Sequence, residues 1–454
     1  MTIYFLRLFT IAVCIVSSVM VSSAAAQPTL DSASTLGSVL LKNVRIFDGK
    51  SQELSGKTNV LVVGNKIQKI GADAGPKSST VVIEGAGRTL MPGLIDAHWH
   101  SLFATIPQAQ LLQSDIAYIN FHAMQSNKDA LLRGFTSVRD VGGNVFGLKR
   151  VTDEGLVIGP RIYPSGAYIS QTSGHGDFRG PNDVPENPSL PLDYLQRNGQ
   201  TLIADGVPEV MKRTREVLRM GATQIKVMAG GGVSSLYDPL DVTQYTMDEM
   251  KAIVAVANNW NTYVTVHANT DAAIRQSIEA GVRCIEHGFL LEEDTIKLMS
   301  EKGIWLSIQP LLDDADAIPF PDPVSRAKWV SVTSGTDKVM TLAKKYKVKV
   351  AFGTDTLFDA GLACKQGKVL SKLKRWMTPY EALKMATYDN AQLLKLCGPR
   401  DPYPGKLGVI EDGALADLIL VDGNPLENLD LVADPGKKFV LIMKDGKIYK
   451  NTMK

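Results

Sequence analysis

Four of the chain's six histidines stand where an apolar run gives out. His98 and His100 leave the run Ile95-Asp96-Ala97-His98-Trp99-His100, His267 closes Tyr263-Val264-Thr265-Val266-His267, and His287 closes Cys284-Ile285-Glu286-His287. Asp355 closes Val350-Ala351-Phe352-Gly353-Thr354-Asp355 in the same way. In an extended segment alternate side chains share a face, so both rings of the His-x-His pair can reach one metal ion. A single His after an apolar strand is more often a hydrogen-bonded structural residue. Five metal-competent groups at the ends of separate strands are harder to read that way, because imidazole and carboxylate are the ligands that divalent cations such as zinc prefer. The chemistry they could support is metal-assisted hydrolysis, with a water made acidic enough to ionise near neutral pH.

Such groups converge only if the strands lie side by side in parallel, with their C-terminal ends at one mouth. Short apolar runs recur at 137–139, 162–165, 224–228, 263–267, 284–287, 305–309 and 348–352, with helical stretches between them. Strand and helix in alternation is the pattern of a parallel sheet. Counting 90–95 as the first strand gives eight, which closes an α/β fold of the (β/α)8 TIM-like barrel type. The flanks read differently. Residues 40–47, 58–63, 66–70 and 80–84, and again 416–421, 439–443 and 447–449, read as short strands with turn residues between them, Lys444-Asp445-Gly446 forming a hairpin. Chain ends often lie close together, so both flanks are expected to build one small β-sandwich domain. The expected division is a signal peptide over 1–26, β-domain over 27–91 and 400–454, and barrel over 92–399. The Pro- and Asn-rich stretch 180–198 reads as a long surface loop after the third strand, with weak helical character at best.

Bulk composition narrows the partners. Lys and Arg number 49 against 47 Asp and Glu, a formal charge of +2, so no sign excess points to nucleic acid or acidic lipid. Arg7, an apolar run over 8–21 and the small residues Ala24 and Ala26 before Gln27 read as a secretory signal. Export to a periplasm or the medium is therefore expected, with no membrane association after cleavage. Cys284, Cys364 and Cys397 remain beyond it, too widely spaced for a metal motif and expected to be free buried thiols.

The segment Met91-Pro92-Gly93-Leu94-Ile95-Asp96-Ala97-His98-Trp99-His100 resembles the opening metal motif of the amidohydrolase superfamily. The resemblance implies that Lys226, in Gln224-Ile225-Lys226-Val227, is the fourth-strand lysine that carbon dioxide carboxylates in binuclear members. Burial beside cations favours the neutral amine this needs. A snorkelling Lys or a clamp for a substrate carboxylate is the alternative for Lys226. On the superfamily pattern, His98, His100 and Asp355 hold one zinc, His267 and His287 a second, and carboxylated Lys226 both, with Asp355 also the acid–base shuttle. Segments 378–383, 387–394 and 405–418 resemble the superfamily's last barrel helices and its return to the β-domain.

Within the superfamily the chain is similar to the imidazolonepropionase-like group of metallo-dipeptidases and carboxypeptidases, and to ochratoxin-hydrolysing amidases. The likeness lies in Ser170-Gln171-Thr172-Ser173-Gly174-His175-Gly176-Asp177-Phe178-Arg179 and in Met228-Ala229-Gly230-Gly231-Gly232-Val233-Ser234-Ser235 with Tyr237 beyond it. His175, Arg179 and Tyr237 then become candidates to contact substrate, His175 also to polarise the scissile carbonyl. Arg179 could instead only salt-bridge its own loop, and Tyr237 only pack. The triple Gly lacks the Lys-Ser/Thr of a nucleotide loop and reads as a sharp turn or a close approach to substrate. The expected function is hydrolysis of an amide or peptide bond beside a C-terminal carboxylate, in a dipeptide, a C-terminal residue or an N-acyl amino acid. A cyclic amide or amidine hydrolase or deaminase is the competing enzyme, and an inactive structural relative the alternative from another class. A homo-oligomer is also expected.

Overall fold

The computed structural model describes residues 37–75, 80–183, 189–320 and 322–453. The expected signal peptide lies outside them. Residues Gly37–Lys454 pack as one compact unit, and no helix among the described residues is long and apolar enough to cross a membrane.

The N-terminal flank supplies β1 (Ser38–Ile46), β2 (Thr58–Val63), β3 (Lys66–Ile70), β4 (Thr80–Glu84) and β5 (Thr89–Pro92). Eight parallel strands with two additions follow: β6 (Leu94–Trp99), β7 (Phe135–Asp140), β8 (Arg161–Pro164), the additions β9 (Tyr168–Ser170) and β10 (Thr201–Ile203), β11 (Ile225–Met228), β12 (Val264–Thr270), β13 (Cys284–Leu290), β14 (Trp305–Ile308) and β15 (Lys349–Phe352). The C-terminal flank adds β16 (Leu418–Val421), β17 (Phe439–Lys444) and β18 (Lys447–Asn451).

Both chain ends enter one eight-stranded sheet in the order β18-β17-β16-β5-β1-β2-β3, with β4 on β1. Its core mixes the two ends, Val39, Leu41 and Val60 packing with Leu418, Leu420 and Leu441. Fully burying each such side chain is worth about 1.5–3 kcal/mol, enough to hold flanks more than 300 residues apart in sequence. The apolar run 90–95 is two strands rather than one. Leu90 and Met91 pair with Leu420 and Ile419 in the mixed-end sheet, and the chain crosses at Gly93 into β6, whose Leu94 lies opposite Phe135.

The parallel strands form a three-stranded sheet β6-β7-β8 and a seven-stranded sheet β10-β9-β11-β12-β13-β14-β15. Side-chain and loop hydrogen bonds link them where ladders do not. At one seam Thr223 N donates to Pro164 O at 2.8 Å, and Gln224 Nε2 donates to Tyr163 O at 3.0 Å. At the other, the buried Asn390 amide donates to Ile95 O of β6 at 2.7 Å and to Phe352 O of β15 at 2.8 Å, and accepts from Phe352 N at 2.9 Å. One side chain thus satisfies backbone groups on two strand edges that would otherwise be buried without partners.

The crossover helices follow from local signals. Met247–Asn259 starts at a Thr246/Glu249 capping box and buries Met250, Ile253, Val254 and Ala257, the stripe of a 3.6-residue period. Around the stretch 180–198, β9 and β10 pair in parallel, and within its described part Tyr194–Arg197 forms one short helix capped by Asp193. Cys284, Cys364 and Cys397 are free, but Cys364 is exposed where a buried thiol was expected.

Candidate metal centre

The strand ends bring the predicted ligands together. His98 sits on β6 with His100 just past it, Lys226 on β11, His267 on β12, His287 on β13, and Asp355 three residues after β15. All six line one cavity of about 810 Å³, part of it open to solvent. Asp355 Oδ1 lies 3.2 Å from His98 Nε2 and 3.3 Å from His100 Nε2, and these three residues could hold a metal ion, their ligand atoms lying within 4.8 Å of one another. The His98 and His287 rings are 4.9 Å apart and those of His267 and His287 4.5 Å. The backbone is bent to achieve this: His287 (φ 75°) and Asp355 (φ 49°) both occupy the left-handed region, which costs a non-glycine residue energy and persists where the surroundings enforce it.

Each ring but one has a nitrogen fixed by an acceptor. His98 Nδ1 donates to Glu286 Oε2 at 2.7 Å, His267 Nε2 to Gly231 O at 3.2 Å, and His287 Nδ1 to Gln309 Oε1 at 2.8 Å. A carboxylate, a backbone carbonyl and an amide oxygen only accept, so the protons are assigned to those nitrogens and the opposite lone pairs are left for a ligand. Glu286 is held in turn by Arg139 Nη2 at 2.6 Å and by the Thr265 hydroxyl. Arg139 also donates to Ala97 O at 2.5 Å, immediately before His98. The exception is His100, whose buried Nδ1 has no partner among the described residues.

Electrostatics point the same way. Burial pushes His100 down to about 4 and His287 down to about 3, and with His175 and His287 beside it holds His267 well below the ordinary imidazole range. Neutral imidazole is the ligating form. Burial opposes a charged His98, but Asp355 and Glu286 together raise its pKa. Burial lowers the Lys226 pKa against the pull of Glu286 and Asp355, so the neutral amine is more accessible here than in water. Three rings that each turn one nitrogen to an acceptor behind them, and a carboxylate beside the Nε2 atoms of His98 and His100, are a donor set that fits divalent cations.

His175 stacks on His267 with centroids 4.1 Å apart and lines the same cavity. Its Nδ1 contacts Ser235 Oγ at 2.5 Å and Asp238 Oδ2 at 3.2 Å. Both partners use one nitrogen, so this is an anchored ring and no Ser-His-Asp relay. Asp238 also accepts from Gly232 N at 2.9 Å, and Lys328 Nζ reaches Ser235 O at 2.9 Å and Asp238 O at 2.7 Å, fastening the loop to helix Pro323–Ser334. A Cβ on Gly232 would lie 2.0 Å from His175 Cε1. The glycine therefore makes room for the histidine.

Arg179 and Tyr237 do not line this cavity. The Arg179 guanidinium binds Asp177 at 2.7 and 2.6 Å, the salt bridge within its own loop, and the Tyr237 residue is 46% exposed. Much of the rest of the wall is apolar, including Phe289, Leu311, Phe320 and Trp329. Glu286, Arg139, Gln309 and Asp238 escaped the sequence reading. A charged residue inside an apolar strand run, as at Arg139 and Glu286, was the available signal.

Residues 89–450 match the Amidohydrolase family. The chain belongs to that family and is a hydrolase acting on amide C–N bonds. It is 32% identical over 416 residues to the ochratoxinase of Aspergillus niger, covering 86% of this chain and 82% of that protein. Among solved structures it resembles a prolidase complexed with N-methylphosphonate-L-proline, at TM-score 0.83 and 35% identity over 91% of this chain and all (100%) of that one. A Xaa-Pro dipeptidase with bound methionine aligns at TM-score 0.78 and 27% identity, covering 91% and 100%.

Proposed function

We propose that the protein is a binuclear metal-dependent hydrolase that cleaves an amide or peptide bond next to a C-terminal carboxylate. The carrying observation is the convergence of His98, His100, Lys226, His267, His287 and Asp355 on one cavity, with three rings fixed by acceptors behind them. In this reading the two parallel sheets are one closed (β/α)8 barrel over 92–399, and the mixed-end sheet is a β-sandwich from 27–91 and 400–454. His98, His100 and Asp355 would hold one divalent cation, zinc on this donor set, His267 and His287 the other, and Lys226, carboxylated by carbon dioxide, both. When bound, such ions supply an activated water and polarise the scissile carbonyl. Asp355 accepts the proton given up by the attacking water and passes it to the leaving amine. His175, anchored through Nδ1, faces the carbonyl oxygen. The similarity to a prolidase, a Xaa-Pro dipeptidase and an ochratoxinase supports a substrate that presents a carboxylate beside the scissile bond. Arg179 would meet that carboxylate by exchanging it for Asp177, and Tyr237 would stand at the rim. The charged start, apolar run and Ala-x-Ala pattern within 1–26 support a signal peptide and export.

Elemental analysis tests the core of this. Active protein should carry about two divalent ions per chain, and full activity with one ion or none would overturn the binuclear reading.

A further inference from the structure

A second pocket, about 380 Å³ including open space, shares the walls Phe103, Tyr168, Phe178 and Phe358 with the catalytic cavity. Four aliphatic side chains and two glutamines complete it. The glutamines differ. Gln108 Nε2 donates to Ser234 O at 3.0 Å, whereas Gln200, only 3% exposed, has neither its Oε1 nor its Nε2 paired among the described residues. An apolar, aromatic-walled pocket therefore ends on one buried amide whose hydrogen bonds are not made by the fold. Such groups are rare because desolvating them without a partner is unfavourable, and a ligand atom that pairs with them recovers the loss.

We propose that this pocket is the side-chain subsite of the enzyme and takes a p-hydroxyphenyl group, so that the preferred substrates carry tyrosine, or a phenol of its shape, at one of the positions flanking the scissile bond. The proposal rests on the amide-hydrolase reading above. Aromatic walls suit a flat ring, through offset and edge contacts. A hydroxyl is donor and acceptor at once, so it pairs with whichever atom of the Gln200 amide faces the pocket, and the argument is independent of which way the amide is turned. A phenylalanine ring would fill the same walls and leave Gln200 unpaired. Sites that hydrogen-bond a substrate hydroxyl reject the analogue lacking it far more strongly than apolar pockets discriminate by size.

The test compares kcat/KM for Ala-Tyr with Ala-Phe and for Tyr-Ala with Phe-Ala in the metal-loaded enzyme. In one of the two pairs the tyrosine substrate should be favoured about 10- to 100-fold, and Gln200→Leu should bring that ratio close to one. Gln200→Leu should also melt at or above the wild-type temperature, because it replaces an orphaned amide by an apolar group. If it fails to fold, Gln200→Met serves in its place. A ratio near one in both pairs, or a ratio that survives the substitution, overturns the proposal. Binding separates its failure from that of the underlying reading: p-cresol should raise the melting temperature more than toluene in wild type and equally in Gln200→Leu. If no amide is cleaved, the hydrolase reading falls and this cresol contrast alone decides the pocket; no contrast sinks it.

Discussion

Arg161 at the head of β8 and the His98–Asp355 cluster at the tails of β6 and β15 both place charge where water is excluded, yet they are wired differently. Arg161 is held by two carboxylates: Nε and Nη2 reach Asp417 at 3.0 and 3.3 Å, Nη2 also reaches Asp445 at 2.6 Å, and the guanidinium lies over the Tyr403 ring at 5.2 Å. Asp445 N closes the ring of contacts by donating to Asp417 Oδ1 at 2.7 Å. Three segments far apart in sequence are joined there, the parallel strand, the start of β16 and the β17–β18 turn. At the other end of the parallel strands the same kinds of group stop short of mutual satisfaction. His267 and His287 each spend one nitrogen on the protein, His98 meets Glu286 through Nδ1 and Asp355 through Nε2, and His100 Nδ1 has no partner among the described residues. Complete pairing of buried charge marks a junction of the fold, and incomplete pairing of buried ligand atoms marks a site that awaits something.

The largest effect expected from breaking this contrast is on the incomplete side. Asp355→Asn and Lys226→Ala should each lower kcat/KM at least 1000-fold, about 4 kcal/mol of transition-state stabilisation or more, while the melting temperature changes little. Lys226→Ala should recover part of its activity with added formate or acetate, which can stand in for a carbamate. Full activity without rescue would remove Lys226 from the site.

On the complete side the signs reverse. Arg161→Met should cost about 3–5 kcal/mol in stability, because two carboxylates lose a buried partner, and leave kcat/KM per folded molecule unchanged. Acid sharpens this. Burial would raise the Asp445 pKa, but Arg161 prevails and holds it below the ordinary carboxylate value. A depressed folded-state pKa contributes stability that is whole above the unfolded value of about 3.9 and is lost as pH falls through the lower folded value. Wild type should therefore lose stability below about pH 4 more steeply than Arg161→Met. Parallel acid denaturation curves for the two proteins would show that the pair does not carry this dependence.

Between these extremes lies the His175 anchor. Asp238→Asn keeps the size of the side chain but weakens the hold on His175 and on Gly232 N, and should slow turnover about 10- to 100-fold. Gly232→Ala should do at least as much, since its methyl would enter the ring of His175. A structural role alone would lower stability without moving kcat. The decisive measurement is thus kcat at a temperature where both variants are fully folded.

What could be read from the sequence divides along the same line. The histidines and Asp355 were visible because they stand where apolar runs end, a local signal, whereas Lys226, inside its strand, was legible only through the family resemblance. Asn390, Glu286 and Gln309 were not, because each takes its meaning from a strand or ring far away in the chain: Asn390 from Ile95, Glu286 from His98, Gln309 from His287. Strands β9 and β10 are three residues each, too short for alternation to show. The run 90–95 carried no mark of its division between two sheets except Gly93. The triple Gly showed as a sharp turn or a close approach, but the room that Gly232 leaves is for a histidine more than 50 residues earlier.

The smallest effects are expected at Arg179 and Tyr237, and they bear on the substrate's carboxylate. N-acyl amino acids and dipeptides should be cleaved, and their C-terminal amides should be poor substrates, because an unpaired partner charge in a desolvated site costs about 2–5 kcal/mol. Arg179→Met should narrow that gap mainly by slowing the free acids, and by only about two- to fivefold. The reason lies in Asp177, which already holds the guanidinium at 2.6–2.7 Å. Meeting a substrate exchanges one carboxylate for another, and the net gain of such an exchange is small. Tyr237→Phe should do less, since its ring stands outside the cavity wall. A hundredfold loss in Arg179→Met would mean that the arginine leaves Asp177 altogether and clamps the substrate. Comparable turnover of acids and amides in wild type would instead transfer the site to a neutral or cyclic amide.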